Sequence, residues 1–304
     1  MNKNASVKSD NVNTVLDFDK LWDYNAPEET EKKFRELLPD LKDQNDFKYR
    51  SAYLQLQTQI ARTLGLQMKF DEAHSLLDEI DPFLDDEFYT AKIRYLLERG
   101  RTFRSSKQVE RSRDLFLKAY ELAVKHSEDN LAVDAAHMMG IIEPFEEAQR
   151  WNQTAMEIAE SSDDKKANNW LGSLYNNTAW NFHDNNDFEE ALKLFEKNVA
   201  WHTKKKSGQQ LIIAKWSVAR ALRSLDKTDK AIKIQLDLLD EIKEKGLEKD
   251  GYIYEELGEL NLIKGNKEES EKYFALAYDL LSKDIWVAEY EKERLERIKK
   301  LGGK

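Results

Sequence analysis

Cysteine is absent from the 304 residues. That excludes disulfides, thiolate metal sites and cysteine nucleophiles. Only 4 prolines and 11 glycines occur, too few turn-formers for a many-stranded β fold of this length. No window of about 18 uninterrupted apolar residues exists, so no segment is expected to span a bilayer. The N-terminal stretch MNKNASVKSDNVNTVLDF lacks the apolar core of a secretory signal. With no address signal, the expected location is cytoplasmic. Positive charge is also in deficit, the net value being −10. A chain that coats nucleic acid or an acidic membrane needs the opposite balance, so neither is expected as a partner.

What the chain does contain is Lys, Glu, Leu and Ala in quantity, with 40% hydrophobic and 35% charged residues. That mixture favours long helices. Residues 1–13 are polar and expected to be disordered. A helical lead-in is expected over 14–50, carried by Leu16, Leu21 and Trp22, then by Phe34, Leu37, Leu38 and Leu41. It breaks near Ala26-Pro27, and Pro27 followed by Glu28 and Glu29 suits a helix first turn. Between Gly172 and Thr203 two amphipathic helices flank the turn Asp184-Asn185-Asn186-Asp187. A helix pair this short cannot bury its own apolar faces and needs copies on either side.

Those copies are present. A small residue follows a polar turn at Ala73, Ser112, Ala148, Ala191, Ala231 and Ser270, with gaps of 39, 36, 43, 40 and 39 residues. Four residues later stand Leu77, Phe116, Asn152, Phe195, Gln235 and Phe274, and seven later Ile80, Ala119, Ala155, Asn198, Leu238 and Ala277. A period of this size is the mark of a stacked helical array, expected over 51–284. The segment 285–304 is expected to close the array as a capping helix, with Trp286, Tyr290, Leu295 and Ile298 on one side.

Tyr254, Leu257 and Gly258 followed by Ser270, Phe274 and Ala277 resemble the tetratricopeptide repeat signature, as do Tyr175, Ala179, Phe182, Ala191 and Phe195. The resemblance covers roughly Tyr53 to Leu281 and implies an all-α fold, a right-handed solenoid of about six helix pairs. The spacing exceeds the family's 34 residues, the family's closing proline is missing, and Arg99 stands where the second repeat should bury a leucine. Several runs, such as FDEAHSLLDEI and DGYIYEELGEL, also resemble a long-spaced bacterial subgroup.

The resemblance further implies that the first helix of each pair lines a concave groove with residues 2, 5, 9, 12 and 13 of the repeat. Counting back from the aligned small residue gives thirty positions. They hold Arg62, Arg94, Arg101, Arg104, Arg220 and Arg223, six of the 14 arginines, and none of the 34 lysines. The planar guanidinium binds a carboxylate at two points and stacks on aromatics, which an ammonium cannot do. Trp180, Trp216, Tyr252, His137 and Asn176 share the set. The candidate groove is therefore Arg62, Arg101, Arg104, His137, Asn176, Trp180, Trp216, Arg220, Arg223 and Tyr252. The competing reading is that these arginines pair with neighbouring helices and hold the stack together.

Catalysis finds no support. The five histidines, His74, His126, His137, His183 and His202, contain no pair at three- or four-residue helical spacing, as a helix-borne metal site requires. Gly-rich phosphate loops and nucleophile elbows are absent, and no cofactor is expected. Lys204-Lys205-Lys206 reads as a solvated loop. The expected function is a non-catalytic protein–protein scaffold that binds an acidic or carboxylate-bearing peptide segment. Two alternatives stand beside it: a regulatory peptide sensor acting through a separate output protein, and an enzyme with an unrecognised site.

Overall fold

The computed structural model describes residues 17–42 and 44–304, with the side chain of Ile285 excepted. The expected disordered stretch 1–13 lies outside the described residues. Among those described, all regular structure is helical. A single 3-10 turn at Phe18–Leu21 precedes α1 (Pro27–Lys42). Six pairs follow: α2 (Phe47–Leu66) with α3 (Phe70–Ile80), α4 (Tyr89–Ser105) with α5 (Val109–Lys125), and α6 (Asp129–Ile142) with α7 (Phe145–Ser161). After the short α8 (Lys165–Asn168) come α9 (Leu171–Asp184) with α10 (Phe188–Lys205), α11 (Gly208–Ser224) with α12 (Thr228–Lys245), and α13 (Gly251–Ile263) with α14 (Lys267–Leu281). The chain ends in α15 (Ile285–Tyr290) and α16 (Lys292–Leu301). The architecture is an all-α solenoid of tetratricopeptide-like pairs, and it divides into two compact units, Met1–Trp170 and Leu171–Lys304.

The repeat alignment has a physical basis. All eighteen aligned positions are buried. Twelve residues before each aligned small residue stands another one: Ala61, Gly100, Ala136, Ala179, Ala219 or Gly258, each buried. In the second and sixth pairs the first helix there lies hard against a ring of the second. A Cβ on Gly100 would come within 2.5 Å of Phe116, and one on Gly258 within 2.9 Å of Phe274.

The turn inside each pair is equally regular. Five residues before the aligned small residue, Met68, Lys107, Asn186, Asp226 and Gly265 all adopt positive φ, between 57° and 77°. This left-handed residue closes the first helix and lets the second start at once. The third pair departs from the rule. Its equivalent residue, Glu143, is extended at φ −81°, ψ 155° because Pro144 follows it, and a residue before proline is driven to extended backbone.

Arg99 is buried but fully engaged. Its guanidinium pairs with Asp78, donates to the His74 carbonyl at 3.2 Å and to Tyr95 Oη at 3.4 Å, and meets His74 Nδ1 at 2.9 Å. The missing core leucine is thus replaced by a polar network that satisfies its own charge.

The C-terminal segment differs from the single helix expected. It breaks at Glu291, between α15 and α16. Ile298 is buried against the last pair, whereas Trp286 and Tyr290 remain exposed and contact each other, ring centroids 6.0 Å apart.

Candidate functional site

In the N-terminal unit the first helices α2, α4 and α6 carry Arg62, Arg101, Arg104 and His137. Arg62 Nη1 donates to Glu98 Oε1 at 3.2 Å, and Arg101 reaches the same carboxylate at 2.6 Å and also pairs with Asp134. Glu98 and Asp134 are buried. Burial opposes ionisation of Asp134, yet Arg101 and Arg62 more than reverse it and hold the carboxyl below its usual range. For Arg101, burial works against the charge, but Asp134 and Glu98 push its pKa up. Two acids answer two arginines, with Glu98 Oε2 buried and without a hydrogen bond. His137 is kept neutral by burial, and its ring lies against Trp170, centroids 5.6 Å apart. Arg104 is exposed, with no ion-pair partner among the described residues.

The inner surface of this unit also holds residues that repeat counting does not point to. Trp22 donates from Nε1 to Gln59 Oε1 at 3.1 Å. Arg62 lies over Trp22 and Tyr24, at 5.7 and 5.3 Å from the ring centroids. Arg94 grips Asp19 at two points, 3.0 and 2.6 Å.

In the C-terminal unit, α9, α11 and α13 bring Trp180, Trp216 and Tyr252 into a row. Trp180 and Trp216 are 6.0 Å apart between centroids, Trp216 and Tyr252 6.2 Å. The Trp216 Nε1 donates to the Tyr252 carbonyl at 3.2 Å, which fixes the ring. Asn176 lies on α9 and donates to the Asn177 amide oxygen at 3.2 Å. Tyr252 is covered from the other side by Arg294 of α16, 5.1 Å from its centroid. Arg294 also forks onto Glu255, and Arg297 onto Glu259. The last pair's inner acids are therefore engaged by the chain's own C-terminal helix.

Two arginines sit beside that aromatic row, and they differ. Arg223 donates from Nε to Glu256 Oε1 at 2.6 Å, and Glu256 is buried. Arg220 donates only to the Ser224 hydroxyl at 2.7 Å. Among the described residues no carboxylate lies within ion-pair distance of it. Burial, then repulsion from Arg223, lowers the pKa of Arg220, and nearby Glu256, Glu259 and Asp184 only partly offset this. The Ser224 hydroxyl is also 3.0 Å from His183 Nε2, on a ring that burial and Arg220 keep neutral. The Ser224 hydroxyl thus bridges Arg220 and His183.

The same places in the repeat register pair differently in the two units. Arg62 and Arg101 stand eleven residues before their aligned small residue, and their acids Glu98 and Asp134 stand fourteen before the next one. Arg220 and Glu256 occupy the same two places. Arg223, eight residues before its small residue as Arg104 is in the second pair, takes Glu256 and leaves Arg220 without its acid.

Among the described residues there is no group of three or more His, Asp or Glu placed to hold a metal ion, and no helix long and apolar enough to cross a membrane.

The fold is that of tetratricopeptide-type repeat proteins. The apo form of RapI superposes with a TM-score of 0.75 at 12% identity, over 97% of this chain and 79% of that one. A signal transduction ATPase with a tetratricopeptide repeat sensor, from Pyrococcus horikoshii, gives 0.68 at 15% identity over 88% of this chain and 42% of that one. Aspartyl phosphate phosphatase F from Bacillus subtilis gives 0.59 at 13% identity, over 95% and 76%. At these identities the likeness is one of fold. No family model and no curated protein matches the sequence.

Proposed function

We propose that the chain is a non-catalytic interaction scaffold, and that the inner face of its C-terminal unit takes an acidic or carboxylate-bearing peptide segment. One observation carries the reading: Arg220 is half-buried, lacks an acid of its own, and stands beside the row Trp180, Trp216 and Tyr252. A guest carboxylate would supply the charge that Arg223 has withdrawn, and the aromatic row would take an adjoining apolar side chain. Asn176 is available to bond the guest's backbone. An extended or helical segment is the natural occupant of such a helix-lined surface. In the N-terminal unit Arg62 and Arg101 serve structure, because their charges are already answered.

The test is an array of fifteen-residue peptides of graded charge, probed with purified protein. Bound peptides are expected to carry Asp, Glu or a free C-terminus next to a large apolar residue. Arg220→Glu should remove that binding with helical signal and melting point unchanged. Binding indifferent to Arg220, or an array with no acidic preference, would refute the proposal. Arg223→Glu is not an equivalent probe, since it places a second acid against buried Glu256 and should destabilise the unit by about 3 kcal/mol or more.

A regulatory sensor working through a separate output protein is the second reading. It is favoured by the fold shared with the tetratricopeptide sensor of the Pyrococcus horikoshii ATPase. Peptide binding at Arg220 is common to both.

A further inference from the structure

The segment Asp17–Ala26 lies across the inner face of the N-terminal unit, on groove positions assigned from the repeat register. It makes one 3-10 turn, and among the described residues its backbone bonds stay within itself or reach only α1: Lys20 N to Asp17 O, Trp22 N to Asp19 O, and Ala26 N to Asp23 O. Its hold on the repeat helices is made by side chains. Asp19 is gripped by Arg94 and approached by Lys166 at 3.5 Å. Trp22 bonds Gln59 and stacks with Tyr24 under Arg62. Phe18 is buried, lies edge-on to Phe34 and sits beneath Arg94 at 5.7 Å.

These are the contacts by which a helix-lined groove holds a foreign peptide: a forked arginine on a carboxylate, and aromatic anchors one and three residues away. Open space continues on both sides of the segment. One cleft of about 290 Å³ borders Asp19, Trp22 and Tyr24, and another of about 460 Å³ borders Asp17, Phe18 and Asp19. Arg94, Asn130 and Lys166 line both. The groove is therefore longer than its occupant.

We infer that this face is a second peptide-recognition surface, for a segment of pattern aromatic–acid–x–x–Trp, and that residues 18–22 occupy it as a built-in competitor. A partner segment with the same acid and tryptophan would displace the strap. Tethering gives the strap an effective concentration of roughly millimolar, so only a well-matched guest would win in the unaltered chain. The inference concerns the N-terminal unit alone and does not depend on Arg220.

The test uses the full chain and a fluorescein-labelled synthetic peptide of residues 17–26, DFDKLWDYNA. The unaltered protein should bind it weakly. Loosening the strap with Asp19→Asn and Trp22→Ala should tighten binding at least tenfold. Adding Arg94→Glu to the loosened chain should abolish it, and a peptide carrying Arg in place of the aspartate at position 19 should restore it. A loosened chain of full helical signal that binds no better than the unaltered protein would overturn the inference. Loss of helical signal in the loosened chain would also overturn it, by showing that the strap belongs to the core. So would a concentration-dependent dimer of the unaltered protein formed by strap exchange, which would assign the groove to a second copy.

Discussion

Arginines that look alike in the repeat register do different work, and burial of their partners separates them. Arg101 stands between Glu98 and Asp134, both nearly water-free. Removing it leaves buried Asp134 without an ion-pair partner and Glu98 with Arg62 alone, so Arg101→Ala should lower stability by about 3–5 kcal/mol. Arg104, three residues on and exposed, should tolerate Ala within about 0.5 kcal/mol. Urea titrations of the two variants check the contrast, and equal effects would show that the network is not load-sharing. The sequence placed all six arginines on one face of the first helices. It could not show which were already neutralised, because that depends on acids some 33 to 36 residues away. An arginine eleven before the small residue and an acid fourteen before the next marks the pairs of Arg62 and Arg101, but Arg220 and Glu256 share those places without pairing.

At the scale of elements, the pair is defined by a close helix contact and a left-handed turn. Met68 pays for that turn, since an L residue at φ 62° is strained. Its side chain is 75% exposed, so nothing is lost by deleting it. Met68→Gly should therefore raise stability by up to about 1 kcal/mol, read as a higher urea midpoint. An unchanged or lower midpoint would mean that the turn is not where the strain resides. The same change at Glu143 should bring no gain, because Pro144 has already driven that residue extended. Helix existence was legible from the 36–43 residue period. The break at Glu291 was not, since the apolar spacing of Trp286, Tyr290, Leu295 and Ile298 permits one continuous helix. Packing on α14 selects only the last two.

Over the whole molecule, four of the five histidines, His74, His137, His183 and His202, are held neutral by burial, their pKa values lowered. In the unfolded chain each would take up a proton below about pH 6.5. As pH falls the unfolded state then binds more protons than the folded one, and stability declines. Glu256 and Asp250 work in the opposite direction, because burial pushes their carboxyls up and protonation relieves them. The histidines titrate from a higher starting value, so the urea midpoint should drop between pH 7.5 and 5.5. His74→Gln should flatten the slope, and a midpoint that rises on acidification would contradict the assignment. Asp19, held below its usual range by Arg94 and Lys166 against the effect of burial, keeps its contact through this window.

The repeating order of small, aromatic and aliphatic residues was enough to dictate an all-helical stack, since a short helix pair has no other way to cover its apolar faces. The family resemblance it carries gave the further expectation that the first helices form an inner face. Tertiary structure alone decided how the charges on that inner face were shared out. An ion pair between neighbouring helices depends on which of two arginines reaches an acid first, and Arg223 reaches Glu256 where Arg220 does not. Nor does any periodicity reveal that residues 17–26 fold back over the first repeats, because the strap lies outside the repeat and is held by side chains from helices distant in sequence.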